Sequence, residues 1–535
     1  MIKLKGLLTE NTIGSATVDF LSNLIKNSPF RGQVFVAGGY VRDELLGKPS
    51  KDIDLVITAP DGGIKFAEWI TKKLGVHTAG NPVIFERFGT AKFNLRGVTH
   101  QGFDLGELDI EAVMTRTEKY KEGSRKPEVG YGSLKQDAER RDFTVNSLMK
   151  DLTTGETLDL TGMGIQDLKD GVVRSAIDPN YIFVEDPLRM LRAIRFATKY
   201  DWTLPDFMMD AIKANAEKIK GISAERIHDE FNKMLTSPRP AAAMKMLIAS
   251  GLSKHFIPEL DAMEGVTQNA YHKDDVLDHS LEVLSKSPND GISRIAALLH
   301  DAGKPKTRTD TNGKIQFLKH EDVGADMARD IMMRLKYPNS EIDTVDKVIR
   351  NHMRLKPAGP DGKGISDKAL RKFVAELGDD LTVALGVMDA DNKSHSEAAS
   401  MPNQIAGIRD RIATLPAAVS SDKIKLPVNG HDLMQRLGVK PGPVLAIVLD
   451  VIKDAYFENP EIDKEAALKI ADQVFAELQS KAGERDEPDK LSSHLPKTVR
   501  NPATDNDILL KTALSYDEDH PARKAAERLM KKATR

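Results

Sequence analysis

Cysteine is absent from the chain, which excludes disulfides, thiolate catalysis and Cys-ligated zinc and is compatible with the cytosol. Aromatic residues are scarce, at 5% with two Trp and nine Tyr, so extensive base-stacking surfaces are not expected. No apolar run approaches the roughly 18 residues that cross a bilayer. The N-terminal MIKLKGLLTENTIG lacks the apolar core and small-residue cleavage site of a signal peptide. Charge of one sign is also lacking: the formal net charge is −3, so a nucleic-acid partner would have to be met by local basic patches. What is present, 40% hydrophobic and 29% charged residues, is ordinary for a globular protein. The 535 residues provide for three or four domains at about 150 residues each.

The most informative stretch is Val34 to Ile57, VFVAGGYVRDELLGKPSKDIDLVI. An apolar strand, Val34 to Ala37, runs into Gly38-Gly39, then a polar helical turn with Arg42 and Asp43, then a second strand opening on Asp52-Ile53-Asp54. Side chains alternate along a strand, so Asp52 and Asp54 share a face. Two carboxylates so placed are costly to ionise together unless a cation sits between them. Hard oxygen ligands suit Mg²⁺, which takes one or two carboxylates plus substrate phosphates. The glycine pair lets backbone approach a triphosphate. Together these features point to nucleotidyl transfer.

The string resembles the catalytic motif of the class II tRNA nucleotidyltransferase (CCA-adding) and bacterial poly(A) polymerase family, where Gly-Gly, Val-Arg-Asp and Asp-x-Asp recur in this order. Five further stretches extend the resemblance over about residues 30–255. Asp109 and Glu111 share a strand face in LDIEAV; a third carboxylate is expected chemically, and the resemblance favours Glu111 over Asp109. Leu134 to Met149, LKQDAERRDFTVNSLM, reads as a helix with Asp142 and Asn146 on one face. Its Arg140 and Arg141 offer forked donors to phosphate. The resemblance implies that Asp142 and Asn146 meet the sugar and phosphates of the incoming nucleotide. Asp159 to Ile177 resembles the family's hinge. In Glu185 to Ala197, EDPLRMLRAIRFA, the residues Asp186, Arg189 and Arg192 recur at intervals of three. The resemblance makes Asp186 and Arg189 an amino-acid template that selects CTP and ATP. Ser223 to Ile227 opens a capped helix and matches the family's last motif.

Five histidines fall between positions 272 and 352, and Ala297 to Lys304 reads ALLHDAGK. His and Asp donors without Cys suit Mn, Fe, Co, Ni, Zn or Mg. This pattern resembles the HD metal-dependent phosphohydrolases. The resemblance implies His279, His300, Asp301 and Asp391 as ligands, with Asp389 as the alternative to Asp391 and His320 and His352 as ligands for a second metal. His431-Asp432 lacks such partners and reads as a helix-cap turn.

The expected protein is multidomain and mainly α. A nucleotidyltransferase head (1–155) with a polymerase-β-like mixed sheet precedes a helical neck (156–255), an HD domain (256–415), a helical body (416–480) and a charged flexible tail (481–535). The tail's end, from Arg523, is expected to form a short basic helix. The implied activity is Mg²⁺-dependent addition of CCA to tRNA from CTP and ATP, in the cytoplasm. The alternatives are poly(A) synthesis, partial CC or A addition, and an HD phosphohydrolase with an RNA-binding head. No membrane partner is expected.

Overall fold

The computed structural model describes residues 2–48, 50, 52–78, 80–119, 128–268, 274–312, 314–397, 399–415, 426–483 and 504–533. Two compact units divide it: residues 1–270, 274–285 and 289–342 make the first, and 271–273, 286–288 and 343–535 the second. Head and neck therefore share one unit, and the division at 342/343 falls inside the stretch expected as the HD domain.

The head is built on a mixed seven-stranded sheet. Its strands are β1 (Val34–Ala37), β2 (Asp54–Ile57), β3 (Val83–Phe85), β4 (Thr90–Leu95), β5 (Leu108–Met114), β6 (Met149–Asp151) and β7 (Thr157–Leu158), in the order β7-β6-β1-β2-β5-β4-β3. The wholly buried VFVA of β1 fits a central position, flanked by β6 and β2; strands covered on both faces read as continuous apolar runs. β2 pairs with β5 in parallel, placing Asp54 opposite Glu111, and antiparallel with β1, placing Asp54 opposite Ala37.

Helix α1 (Ile2–Ile25) precedes the sheet, and α2 (Gly39–Leu45) follows β1 directly. Helix α3 (Gly62–Leu74) buries Phe66, Ala67 and Ile70 and packs on β4 and β5. It approaches so closely that a Cβ at Gly63 would collide with the backbone carbonyls of Ala112 and Gly89. The opposite face is covered at the β1–β6 side, where Ala138 and Leu134 of α4 (Leu134–Glu139) pack with Phe35, Ala37, Val56 and Met149. That same face carries Asp54, Glu111 and Lys92, which are partly or well exposed.

The expected helix over Leu134 to Met149 is a correction. It stops at Glu139, a single 3₁₀ turn follows at Thr144–Asn146, and β6 begins at Met149. Phe143 is extended and its N–H donates to Asp142 Oδ1. Such local side-chain bonds to the backbone compete with helix. Asp142 and Asn146 nevertheless meet, at 2.9 Å.

In the neck, α5 (Pro179–Glu185) gives way at Asp186-Pro187 to α6 (Leu188–Tyr200). Helix α7 (Ala224–Leu235) starts after Ser223, whose side chain makes no cap bond. Helices α6 and α7 pack together, burying Leu191, Ile194, Phe231 and Met234 among others.

The second unit is helical. Val444, Ile447, Val448 and Ile452 from Pro443–Glu458 form a core with Ala467, Ala471 and Leu478. The expectation of a flexible tail is corrected for its described part. Residues 504–514 and 521–533 are helices that add Leu510, Ala513, Ala522, Ala525 and Ala526 to that core. The small apolar residues sit at helical spacing behind the charges, so composition concealed the buried stripe. The tail residues 484–503 lie outside the described residues. His431-Asp432 is a cap turn as read: Asn429 and Asp432 form a capping box. Among the described residues no helix is long and apolar enough to cross a membrane.

Gly63→Ala should destabilise the first unit by about 1–3 kcal/mol, the usual cost of overpacking. A urea midpoint equal to wild type would show that α3 tolerates displacement from the sheet.

Candidate active site

A cleft of about 500 Å³ opens between the head and α6. Its lining gathers Gly38, Gly39, Arg42 and Asp43 from the β1–α2 turn, Asp52 and Asp54 at the start of β2, Arg140, Arg141, Asp142 and Asn146 after α4, and Asp186, Arg189 and Arg192 from the neck. The head and neck residues singled out from the sequence for nucleotide and metal binding are thus brought together, except Glu111 and its alternative Asp109. Gly38 has φ 74°, a left-handed conformation that glycine adopts without strain, and it starts α2.

Asp52 and Asp54 face the cleft while Ile53 between them is 2% exposed and enters the core. Asp54 is exposed by surface area and lines the cleft. Desolvation raises its pKa, the Glu111 and Asp52 charges add to the rise, and Arg141 and Lys92 oppose it. Glu111, opposite Asp54 in register, pairs with Lys92 at 3.3 Å. Asp109 is instead bonded to Asn94 at 2.9 Å. The three carboxylates Asp52, Asp54 and Glu111 do not converge within 4.8 Å of one another.

The arginines are fixed by acids rather than left mobile. Asp137, fully buried, accepts Arg140 at 2.7 Å and Arg141 at 3.1 Å. Although burial alone would raise it, the two guanidinium groups hold the Asp137 carboxyl below its ordinary pKa. Arg42 forks onto Asp43 at 2.8 and 2.9 Å, donates to Asn146 Oδ1 at 2.6 Å, and lies 5.1 Å from the ring centroids of both Phe196 and Tyr200. Asn146 in turn donates to Asp142 Oδ1, and Arg192 forks onto Asp142 Oδ2 at 2.9 and 2.6 Å. Burial works against ionisation of Asp142, but Arg192 and Asn146 overcome it and lower the pKa.

Asp186 and Arg189 are not bonded to each other in the way an i,i+3 pair would be. Asp186 sits just before α6, where Oδ1 accepts the Leu188 N–H and Oδ2 accepts Arg226 at 2.9 Å. Arg189 donates to Glu185 at 2.6 Å and to the Arg140 carbonyl at 2.8 Å. Both still line the cleft.

Sequence reasoning passed over Asp137, Glu230 and Lys199. Asp137 lies three and four residues before the arginines it holds, a legible helical spacing. Glu230 pairs with Arg195 at 2.6 Å and is 3% exposed. Lys199 and Phe196 continue the cleft stripe of Arg189 and Arg192 at helical intervals.

A second cluster lies in the first unit, on Val276–Lys286, the turn after Gly291–Leu299, and His320–Arg334. His279, His300 and His320 direct Nε2 towards Asp301, at 3.8, 3.2 and 3.4 Å. The Nδ1 atoms of His300 and His320 each lie 2.8 Å from a backbone carbonyl, the usual device for orienting a ligating imidazole. Burial opposes the ionised form of Asp301, yet His300 and Lys304, 2.6 Å away, bring its pKa well below the ordinary value. In the second unit, His352 and Asp391 are both buried, and Asp391 pairs with Lys356 at 2.7 Å. Asp389 is engaged by Lys393 at 2.7 Å.

Two opposite stability effects should follow. Asp137→Asn leaves two arginines beside a neutral amide and should cost about 3–5 kcal/mol at neutral pH, as when one partner of a buried pair is removed. A depressed folded-state pKa contributes stability above the ordinary carboxylate value and loses it as pH falls through the lower one. The gap to wild type should therefore narrow below about pH 4 in urea unfolding. Asp54→Asn should raise the urea midpoint at neutral pH, because the raised pKa marks a carboxylate whose charge opposes folding there. A lowered midpoint would mean that the charge is already compensated.

Comparison with known proteins places these features in a family. Residues 34–174 match the Poly A polymerase head domain, 204–264 the "Probable RNA and SrmB-binding site of polymerase A", and 271–394 the HD domain. The A-adding tRNA nucleotidyltransferase of Deinococcus radiodurans is 33% identical over 346 residues, covering 60% of this chain and 75% of the relative. The tRNA nucleotidyltransferase cca2 of Schizosaccharomyces pombe is 28% identical over 462 residues, covering 83% and 93%. The solved Bacillus stearothermophilus CCA-adding enzyme in complex with CTP shares the fold with a TM-score of 0.61 at 21% identity, over 88% of this chain and 99% of that one. Head and HD matches both go with divalent metal use. With a mixed-sheet head, a predominantly helical remainder and this ordered set of cleft residues, the chain belongs to the tRNA nucleotidyltransferase family and is an enzyme of that type.

Proposed function

We propose that the enzyme completes tRNA 3′ ends by adding C, C and A from CTP and ATP. The observation that carries this reading is one cleft that holds the Asp52–Asp54 pair, an arginine wall and the Asp186–Arg189 pair together. Arg140 and Arg141, held in place by Asp137, present charge to the triphosphate, and Arg42 stands beside the glycine turn. Asp142, Asn146 and Arg192 form a rigid hydrogen-bonded set that suits the sugar and inner phosphates. Asp186 offers acceptors and Arg189 donors, the complementary pair needed to read a base edge. Asp52 and Asp54 fit Mg²⁺: both are hard oxygen donors, and desolvation, with the neighbouring Glu111 and Asp52 charges, raises the Asp54 pKa. When bound, such a metal supplies charge stabilisation for the attacking hydroxyl and departing pyrophosphate. Glu111 is the third carboxylate in this proposal. The protein's own contribution is to orient the two substrates and fix charges in advance.

We further infer that His279, His300 and Asp301 hold a divalent transition metal, Ni, Mn, Fe, Co or Zn, and that His320 contributes to a second ion; the resemblance to HD phosphohydrolases implies Asp391 and His352 as further ligands. Hydrolysis of phosphate esters is the matching activity. Cytoplasmic action belongs to the same reading, with tRNA as the partner.

The test is incorporation of each labelled NTP, with Mg²⁺, on tRNA transcripts ending before CCA, after C and after CC. Addition of C, C and A in order, followed by arrest, is expected, with loss of at least about 10³-fold in Asp52→Ala or Asp54→Ala, the scale of removing a principal charge stabiliser. Incorporation of A alone on the CC end would instead mark an A-adding enzyme, and long A runs a poly(A) polymerase. No incorporation, with phosphohydrolase turnover intact, would leave the head as an RNA-binding module.

A further inference from the structure

The open part of the catalytic sheet face carries a cation that the cleft does not use. Strand pairing places Asp54, Glu111, Lys92 and Val83 opposite one another in a single row across β2, β5, β4 and β3. Directly opposed residues share a face. The row therefore leads away from Asp54 over the open side of the sheet, and Lys92 stands two strand spacings, roughly 10 Å, from it. Lys92 Nζ lies 3.3 Å from Glu111, with the side chains 53% and 38% exposed. The next acid along β5, Asp109, is bonded to Asn94.

Direction follows from the chemistry. Gly38, Gly39 and Arg42 lie on the β1 side of Asp54, since Ala37 opposes Asp54 across that pairing. Nucleotidyl transfer requires attacking and leaving oxygens roughly in line. With the triphosphate on the β1 side, pyrophosphate departs towards β1 and the attacking hydroxyl arrives from the β5 side. An RNA 3′ end entering that way carries its backbone phosphates over the row that contains Lys92. An exposed lysine–carboxylate pair is weak and exchangeable, whereas a phosphodiester offers the same ammonium a full charge and releases a counterion.

We propose that Lys92 is a positioning residue for the acceptor strand. Without RNA it holds Glu111; with RNA it passes to a backbone phosphate and releases Glu111 towards Asp54. The inference rests on the nucleotidyltransferase reading and adds to it an entry side and an acceptor-dependent arrangement of the third carboxylate.

The experiment uses the full chain with Lys92→Met and Lys92→Arg, and a tRNA transcript ending before CCA, without nucleotide, at salt from about 50 to 300 mM. Lys92→Met should weaken RNA binding about three- to tenfold and reduce the slope of log affinity against log salt by about one, the signature of one lost phosphate contact. Lys92→Arg should restore most of both. In turnover, KM for RNA should rise with the binding loss, KM for CTP should stay put, and kcat should fall by less than KM rises. RNA affinity and salt slope at wild-type values, or a fall in kcat alone, would overturn the proposal. Matched thermal unfolding of the variants guards against a folding artefact. The binding measurement decides Lys92 by itself, so a wild-type chain that binds tRNA but incorporates nothing would sink the transferase reading separately.

Discussion

One buried carboxylate carries much of the cleft. Asp137 is the common anchor of Arg140 and Arg141, which line the cleft with Asp54 and Arg42. Two like charges beside each other repel, and an arginine free to swing would satisfy the nearest acid, Asp52 or Asp54, instead of facing a substrate. Sharing a desolvated anion leaves the local charge positive by one while fixing both forks. This is preorganisation in the electrostatic sense: the field is set before a phosphate arrives, so little reorganisation is needed when charge moves.

The remaining polar groups follow the same rule. Asp43, Asp142 and Glu230 each hold an arginine whose other face is turned to the cleft or stacked on Phe196. Among the described acids lining the cleft, Asp52 and Asp54 are not held by an arginine fork, and they lie where a divalent cation would be needed. The division is physical: the ion pairs build the walls, and the Asp52–Asp54 pair is the place at which the proposed chemistry would occur.

Much of this was legible in the sequence because the signals are local. Alternation placed Asp52 and Asp54 on one face, and an apolar VFVA followed by two glycines placed the turn that lines the cleft. The family resemblance added the roles of Asp142, Asn146, Asp186 and Arg189. Three things escaped. The helix expected through Asn146 ends early, since Asp142 bonds its own neighbour's N–H in a way that periodicity does not register. The partner of Asp186 is Arg226, forty residues away, a contact that only the packing of α7 on α6 creates. The helix at 504–514, and the packing of the expected last helix on the core, were hidden by charge, because alanine stripes bury well but weigh little in composition.

The contacts of α6 with the segment after α4 have a mechanical consequence. Arg189 is tied to the Arg140 carbonyl and Arg192 to Asp142, so α6 and the segment after α4 are joined across the cleft. If α6 reads the base as proposed, a misfitted base that displaces α6 also displaces the segment carrying Arg140 and Asp142. Discrimination between nucleotides would then be written into the speed of transfer as much as into the strength of binding.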